Sequence, residues 1–143
     1  MRTLFLKIIF FLLSVSYVNA EEIFLNCKFI KGEYIESEYS VTKTKKIKKD
    51  KDISFEIKDE KVVNLNGTDP AVLYKQYVNK NNIRLVSHDF GDKKQGQVNK
   101  WTYSLNRING SLTFIQRFKS DDMPRYTLLS TKYYKCKKVK KLL

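Results

Sequence analysis

From Ile23 onward the apolar residues of this chain recur at every second position, in short runs broken by polar turns. No stretch sustains the three-to-four spacing of an amphipathic helix. Ile23, Leu25, Cys27 and Phe29 share one face of a first strand, and Ile53, Phe55 and Ile57 alternate with Ser54, Glu56 and Lys58 in a later one. A period of two gathers apolar side chains on one side only in an extended strand, so the pattern confines the chain to sheet structure. Glu36 to Thr44 reads as a strand running out into a lysine-rich turn. Asp59-Glu60 separates Ile57 from the short run Lys61 to Leu65, and Tyr126 to Lys135 reads as the last strand. Asp69-Pro70 fits a helix N-cap followed by proline at the first helical position, with Leu73 and Tyr77 on one face. The two Tyr and two Val between Val72 and Val78 favour a strand instead, with Asn79 to Asn82 turning into Ile83 to His88.

The sharpest local signal is Trp101 to Phe118, where Asn109-Gly110 separates two alternating segments. A two-residue type I′ turn there would set Leu105 opposite Phe114, Tyr103 opposite Gln116 and Trp101 opposite Phe118.

The ends of the chain add a compartment and a covalent clamp. Arg2 and Lys7 precede an uncharged apolar run from Ile8 to Val18, closed by Asn19-Ala20 before the pair Glu21-Glu22. Eleven residues fall short of the roughly 20 that span a bilayer, so residues 1–20 read as a signal peptide cleaved after Ala20. The remaining 123 residues suit a single β domain, 21–143. Two cysteines remain, Cys27 and Cys136, near opposite ends of that domain. In an oxidising compartment they are expected to pair, bringing the first and last strands side by side.

About eight or nine strands at regular spacing, joined by short turns and carrying one disulfide, imply an all-β fold: a small antiparallel up-and-down β-barrel or a related β-sandwich. The strand pattern resembles that of lipocalin-like barrels. None of that family's sequence motifs is present, so the resemblance carries over no ligand and no binding residue.

Few residues suggest chemistry. The single His88 has no Ser or Cys beside it in a catalytic signature, and one His with two Cys falls short of a structural zinc set. Gly91 to Gly96 has the glycine spacing of a phosphate loop, but Gln97 and Val98 stand where that loop needs Lys and Ser or Thr. The pairs Glu36/Glu38 and Asp121/Asp122 lie in polar, lysine-rich surroundings that give no reason for their pKa values to separate. Asn66-Gly67-Thr68 and Asn109-Gly110-Ser111 match the N-glycosylation pattern and are also ordinary Asn-Gly turns. No catalytic residue, cofactor or metal ligand is assigned.

Two readings follow. The first is a non-catalytic secreted or periplasmic binding module for an apolar or amphipathic ligand, lined by Trp101, Tyr103 and Phe114. The second draws on charge: beyond residue 20 the chain carries 26 Lys and Arg against 15 Asp and Glu, a formal +11. Lys43, Lys45, Lys46, Lys48, Lys49 and Lys51 crowd one segment, and Lys135, Lys137, Lys138, Lys140 and Lys141 crowd the C-terminus. Such runs attract anionic envelope polymers, lipid headgroups or an acidic partner protein. Lysine outnumbers arginine and no ribonucleoprotein motif occurs, which argues against sequence-specific nucleic-acid binding. An open apolar cavity would favour the first reading, and a filled core the second.

Overall fold

A computed structural model describes residues 22–38, 41–91, 96–122 and 125–140. The leader, Lys141 and most of the Gly91–Gly96 loop lie outside them. The described residues form nine strands: β1 Ile23–Glu38, β2 Val41–Ile47, β3 Ile53–Lys58, β4 Lys61–Leu65, β5 Tyr74–Val78, β6 Asn82–Ser87, β7 Val98–Asn106, β8 Ser111–Lys119 and β9 Thr127–Val139. Both readings of the Asp69–Val78 segment hold in part. Asp69 caps a single 3-10 turn, Pro70–Val72, by accepting from the Ala71 N–H at 2.8 Å, and the strand starts only at Tyr74. The single strand expected over Glu36 to Thr44 is divided between two: β1 ends at Glu38, and β2 begins at Val41 and pairs with the far half of β1. Lys45 and Lys46, expected in a turn, continue β2, and the lysine-rich break from strand comes later, at Lys48–Asp52.

Every neighbouring pair is antiparallel, in the order β4-β3-β1-β9-β8-β7-β6-β5. β2 and β3 lie along the same edge of β1, β2 opposite Gly32–Glu38 and β3 opposite Ile23–Cys27, so they behave as one strand interrupted at Lys48–Asp52. The sheet is thus an eight-membered up-and-down barrel, nearly closed. Its seam lies between β4 and β5, where a side chain takes over the work of a backbone ladder. Gln76 on β5 accepts from the Val62 N–H at 3.0 Å and donates to the Val62 carbonyl at 2.9 Å. One amide thereby satisfies both polar groups of a residue on an otherwise open edge.

The β7–β8 hairpin differs in register from the expectation. Asn106 pairs with Ser111, Leu105 with Leu112, Tyr103 with Phe114 and Trp101 with Gln116. The loop therefore has four residues, Arg107–Gly110, not two. Asn106 explains the change: its Oδ1 accepts from the Ile108 and Asn109 N–H groups, and its carbonyl accepts from the Gly110 N–H at 2.9 Å. Only Gly110 of the four takes a positive φ, at 66°. A shift of two residues in pairing preserves the faces, so Trp101, Tyr103 and Leu105 still point inward.

Cys27 and Cys136 form a disulfide and stand directly opposite each other, Cα atoms 3.8 Å apart. The Cys136 N–H turns away from β1 and donates to the Gly110 carbonyl at 2.7 Å. The cysteines are therefore a non-hydrogen-bonded pair, the kind whose facing side chains come closest. Around them the barrel centre is filled. Phe55, Ile57, Ile83, Leu85, Leu105 and Leu112 are fully buried, and Tyr103 packs on Phe114 with ring centroids 4.8 Å apart.

Candidate functional site

In an up-and-down barrel alternate turns share an end, and here that end gathers the β5–β6 turn, the β7–β8 turn, the start of β1 and the end of β9. Between them opens a cleft of about 530 Å³. Its floor is apolar: Ile23 and Leu25 from β1, Ile57 from β3, Leu105 from β7 and the Cys136 side of the disulfide. Its rim carries Lys80, Arg107 and Lys138, with Asn81, Asn106 and Asn109 between them. None of the residues lining the cleft is acidic.

Asparagines shape this rim. Asn79 Oδ1 accepts from the N–H groups of Asn81 and Asn82, and Asn109 Oδ1 from that of Ser111. Such side-chain caps fix turns that would otherwise splay. The two turns are also bonded to each other: the Arg107 N–H donates to the Asn81 carbonyl at 2.7 Å, and its guanidinium to the Asn79 carbonyl at 3.4 Å. The cations are thus held on a preformed frame.

The other mouth is stoppered. The Lys48–Asp52 interruption folds across it, and Asp50 accepts from Lys132 Nζ at 2.6 Å, from the Tyr134 hydroxyl at 2.8 Å and from the Lys51 N–H at 2.9 Å. Desolvation pushes the Asp50 carboxyl up, but the three hydrogen bonds together outweigh it and hold the pKa below the ordinary carboxylate value. Desolvation, then the Asp50 hydrogen bond, raises the Tyr134 phenol well above its usual range. Desolvation likewise raises Tyr103, which is hydrogen-bonded to Tyr74. A depressed folded pKa contributes stability that is present above the unfolded carboxylate value and lost as pH falls through the folded one. Asp50→Asn should accordingly lower stability by about 1–3 kcal/mol near neutral pH. Urea midpoints should show that gap to the parent protein closing in acid.

Trp101, Tyr103 and Phe114, expected to line a ligand site, are brought together in this half of the barrel, where they mainly fill it. Trp101 and Phe114 rings lie 6.2 Å apart, and Phe90 packs edge-on against Trp101 at 4.3 Å. Two small hollows of about 190 and 180 Å³ touch Tyr103; Trp101 borders the first and Phe114 the second. The Trp101 indole N–H is buried with no partner among the described residues. The lysine runs separate: Lys43, Lys45 and Lys46 lie on the β1–β2 ribbon, with Lys48 and Lys49 just beyond it. Lys135, Lys137 and Lys138 lie on β9, followed by Lys140, and of all these only Lys138 reaches the cleft. Lys80 and Arg107 were not singled out from the sequence.

A second groove, of about 600 Å³, runs beside β1, β3 and β4. It is more open, and its lining mixes Asp52 and Glu56 with Lys140, so it presents no single charge. His88 is exposed at the end of β6, and no group of three or more His, Cys, Asp or Glu among the described residues is placed to hold a metal. The chain matches no family model, no curated protein and no solved structure.

Proposed function

We propose that the protein is a non-catalytic binding module that takes an anionic amphiphile, an acyl chain with a carboxylate or phosphate head, in the cleft at the open end of the barrel. The barrel interior is filled, so the reading rests on the cleft at its end and not on a central cavity: an apolar floor beneath a rim of three cations and no carboxylate. About 530 Å³ falls within the range of small-molecule sites, and a preformed rim lowers the ordering cost of binding. The tail would lie against Ile23, Leu25 and Ile108, above the buried Ile57 and Leu105, with the head between Lys80, Arg107 and Lys138. The disulfide, and the lack among the described residues of any helix long and apolar enough to cross a membrane, are compatible with a secreted or periplasmic protein.

Calorimetric titration tests the reading with three twelve-carbon amphiphiles, each below its micelle concentration: dodecyl phosphate, dodecyl maltoside and dodecyltrimethylammonium. Dodecyl phosphate should bind with one-to-one stoichiometry and at least about tenfold more tightly than the others, as two or three rim charges acting in a partly desolvated site imply. Lys80→Glu with Arg107→Glu should abolish that preference while leaving the denaturation midpoint nearly unchanged. Equal binding of all three amphiphiles, or indifference to the double substitution, would overturn the proposal.

A further inference from the structure

Neighbours of the inward-facing cysteines point outward, so the β1–β9 ladder presents a second surface unconnected with the cleft floor. Along it the outward pairs are Phe24 with Val139, Asn26 with Lys137, Lys28 with Lys135 and, past the bulge at Ile30, Lys31 with Tyr133. Lys28 and Lys135 stand directly opposite. Like charges in that position, with Cα atoms about 5.5 Å apart, destabilise a sheet when nothing neutralises them. The ion pairs Lys45–Glu36, Lys100–Asp89 and Lys132–Asp50 lie elsewhere. Lys135 donates to the Asn109 carbonyl and Lys31 lies over the Tyr133 ring at 5.3 Å, contacts that leave both charges in place. Glu33, opposite Thr131, bounds the array at one end, and Glu56, opposite Phe24 on β3, bounds it at the other.

Apolar side chains are set among these charges. Ile30 is 58% exposed, Val139 46% and Tyr133 40%. A soluble polyanion would use the lysines and gain nothing from Ile30 or Val139. A headgroup interface uses both, since cations meet anionic headgroups while short apolar and aromatic side chains enter the acyl boundary. We infer that the outer face of the β1–β9 ladder docks on an anionic lipid surface, with Lys28, Lys135 and Lys137 meeting the headgroups and Ile30, Tyr133 and Val139 entering between them. The lysines, not arginines, suit this role, because a fluid surface offers diffuse charge and not a fixed bidentate partner.

Vesicle co-sedimentation of the oxidised, processed protein tests the inference. It should partition onto vesicles of phosphatidylcholine with phosphatidylglycerol, not onto phosphatidylcholine alone, and less so as salt is raised. Each lysine near such a surface contributes a factor of about five, so Lys28→Gln, Lys135→Gln and Lys137→Gln together should weaken partitioning on the order of a hundredfold. Lys58→Gln, Lys61→Gln and Lys75→Gln, an equal charge change elsewhere, should cost far less. Ile30→Ser with Val139→Ser should weaken vesicle binding while leaving binding to soluble polyphosphate unchanged. Thermal midpoints of all variants establish that they fold. Equal losses from the two lysine sets, binding to neutral vesicles, or vesicle binding indifferent to Ile30 and Val139 would each overturn the inference, the last in favour of a soluble polyanion.

Discussion

Replacing Cys27 and Cys136 together by alanine should lower the stability of the oxidised protein by about 4–5 kcal/mol, the largest effect expected of any change in this chain. The bond joins residues 109 apart in sequence, so it removes nearly the greatest loop entropy that a domain of this size can offer from the unfolded state. It also joins the two strands that an up-and-down barrel must bring together last, because β1 and β9 are sequential neighbours of nothing else along that edge. Both sulfurs are buried, so the alanines forfeit some packing as well. Urea denaturation of the variant, beside that of the parent protein after reduction, separates the two contributions, since reduction removes the clamp and keeps the atoms. A midpoint unchanged in both would mean that the β1–β9 ladder closes the barrel unaided.

Gly110→Val should cost about 3 kcal/mol, for two reasons that act at the same atom. At a φ of 66° an ordinary side chain loses about 1–2 kcal/mol, more when β-branched. A Cβ built there would also lie 2.6 Å from the Cys136 carbonyl oxygen. The backbone must then move, which strains the 2.7 Å bond between the Cys136 N–H and the Gly110 carbonyl, worth about 1 kcal/mol. Gly67 supplies the control: its φ is 85° but nothing lies within 4 Å of a built Cβ, so Gly67→Val should carry the conformational cost alone. Thermal or urea midpoints that fall equally for the two valines would show that the approach of Gly110 to β9 does not matter.

Period-two alternation revealed the strands because a barrel wall with one buried face imposes that period directly on the sequence, as Ile53, Phe55 and Ile57 show. The disulfide was legible from position alone. The hairpin register was not, since Asn109-Gly110 is as good a partner for a two-residue turn as for the end of a four-residue one. The choice was made by Asn106, whose side chain caps the longer loop. The closing seam was also hidden. Gln76 sits among alternating residues like any polar strand position, and nothing local tells that its amide will meet Val62 fourteen residues earlier.

The cleft could have been found by parity. Once the strands are taken as an up-and-down barrel, the turns at Lys80-Asn81 and Arg107-Gly110 must fall at one end together with both ends of the domain, and their cations must converge. Large aromatic residues drew attention instead to Trp101, Tyr103 and Phe114, where bulk and hydrophobicity describe a core as well as a lining. In this barrel they chiefly fill the half that Asp50 stoppers, and the cleft with a rim of one charge sign lies opposite, floored by smaller side chains. The β1–β9 face was visible only in part, because two lysine runs distant in sequence say nothing of which members share a side until Lys28 is found opposite Lys135.

Ligand is proposed to enter the end of the barrel between the β5–β6 and β7–β8 turns, and methyl and amide chemical-shift mapping with dodecyl phosphate would locate it. Saturable shifts should cluster at Ile23, Leu25, Ile57, Leu105 and Ile108 and at the amides of Lys80 to Gly110 that line the rim, with Trp101, Phe114 and Lys132 unmoved. Saturable shifts centred on Trp101 and Phe114, or none that saturate at all, would contradict it.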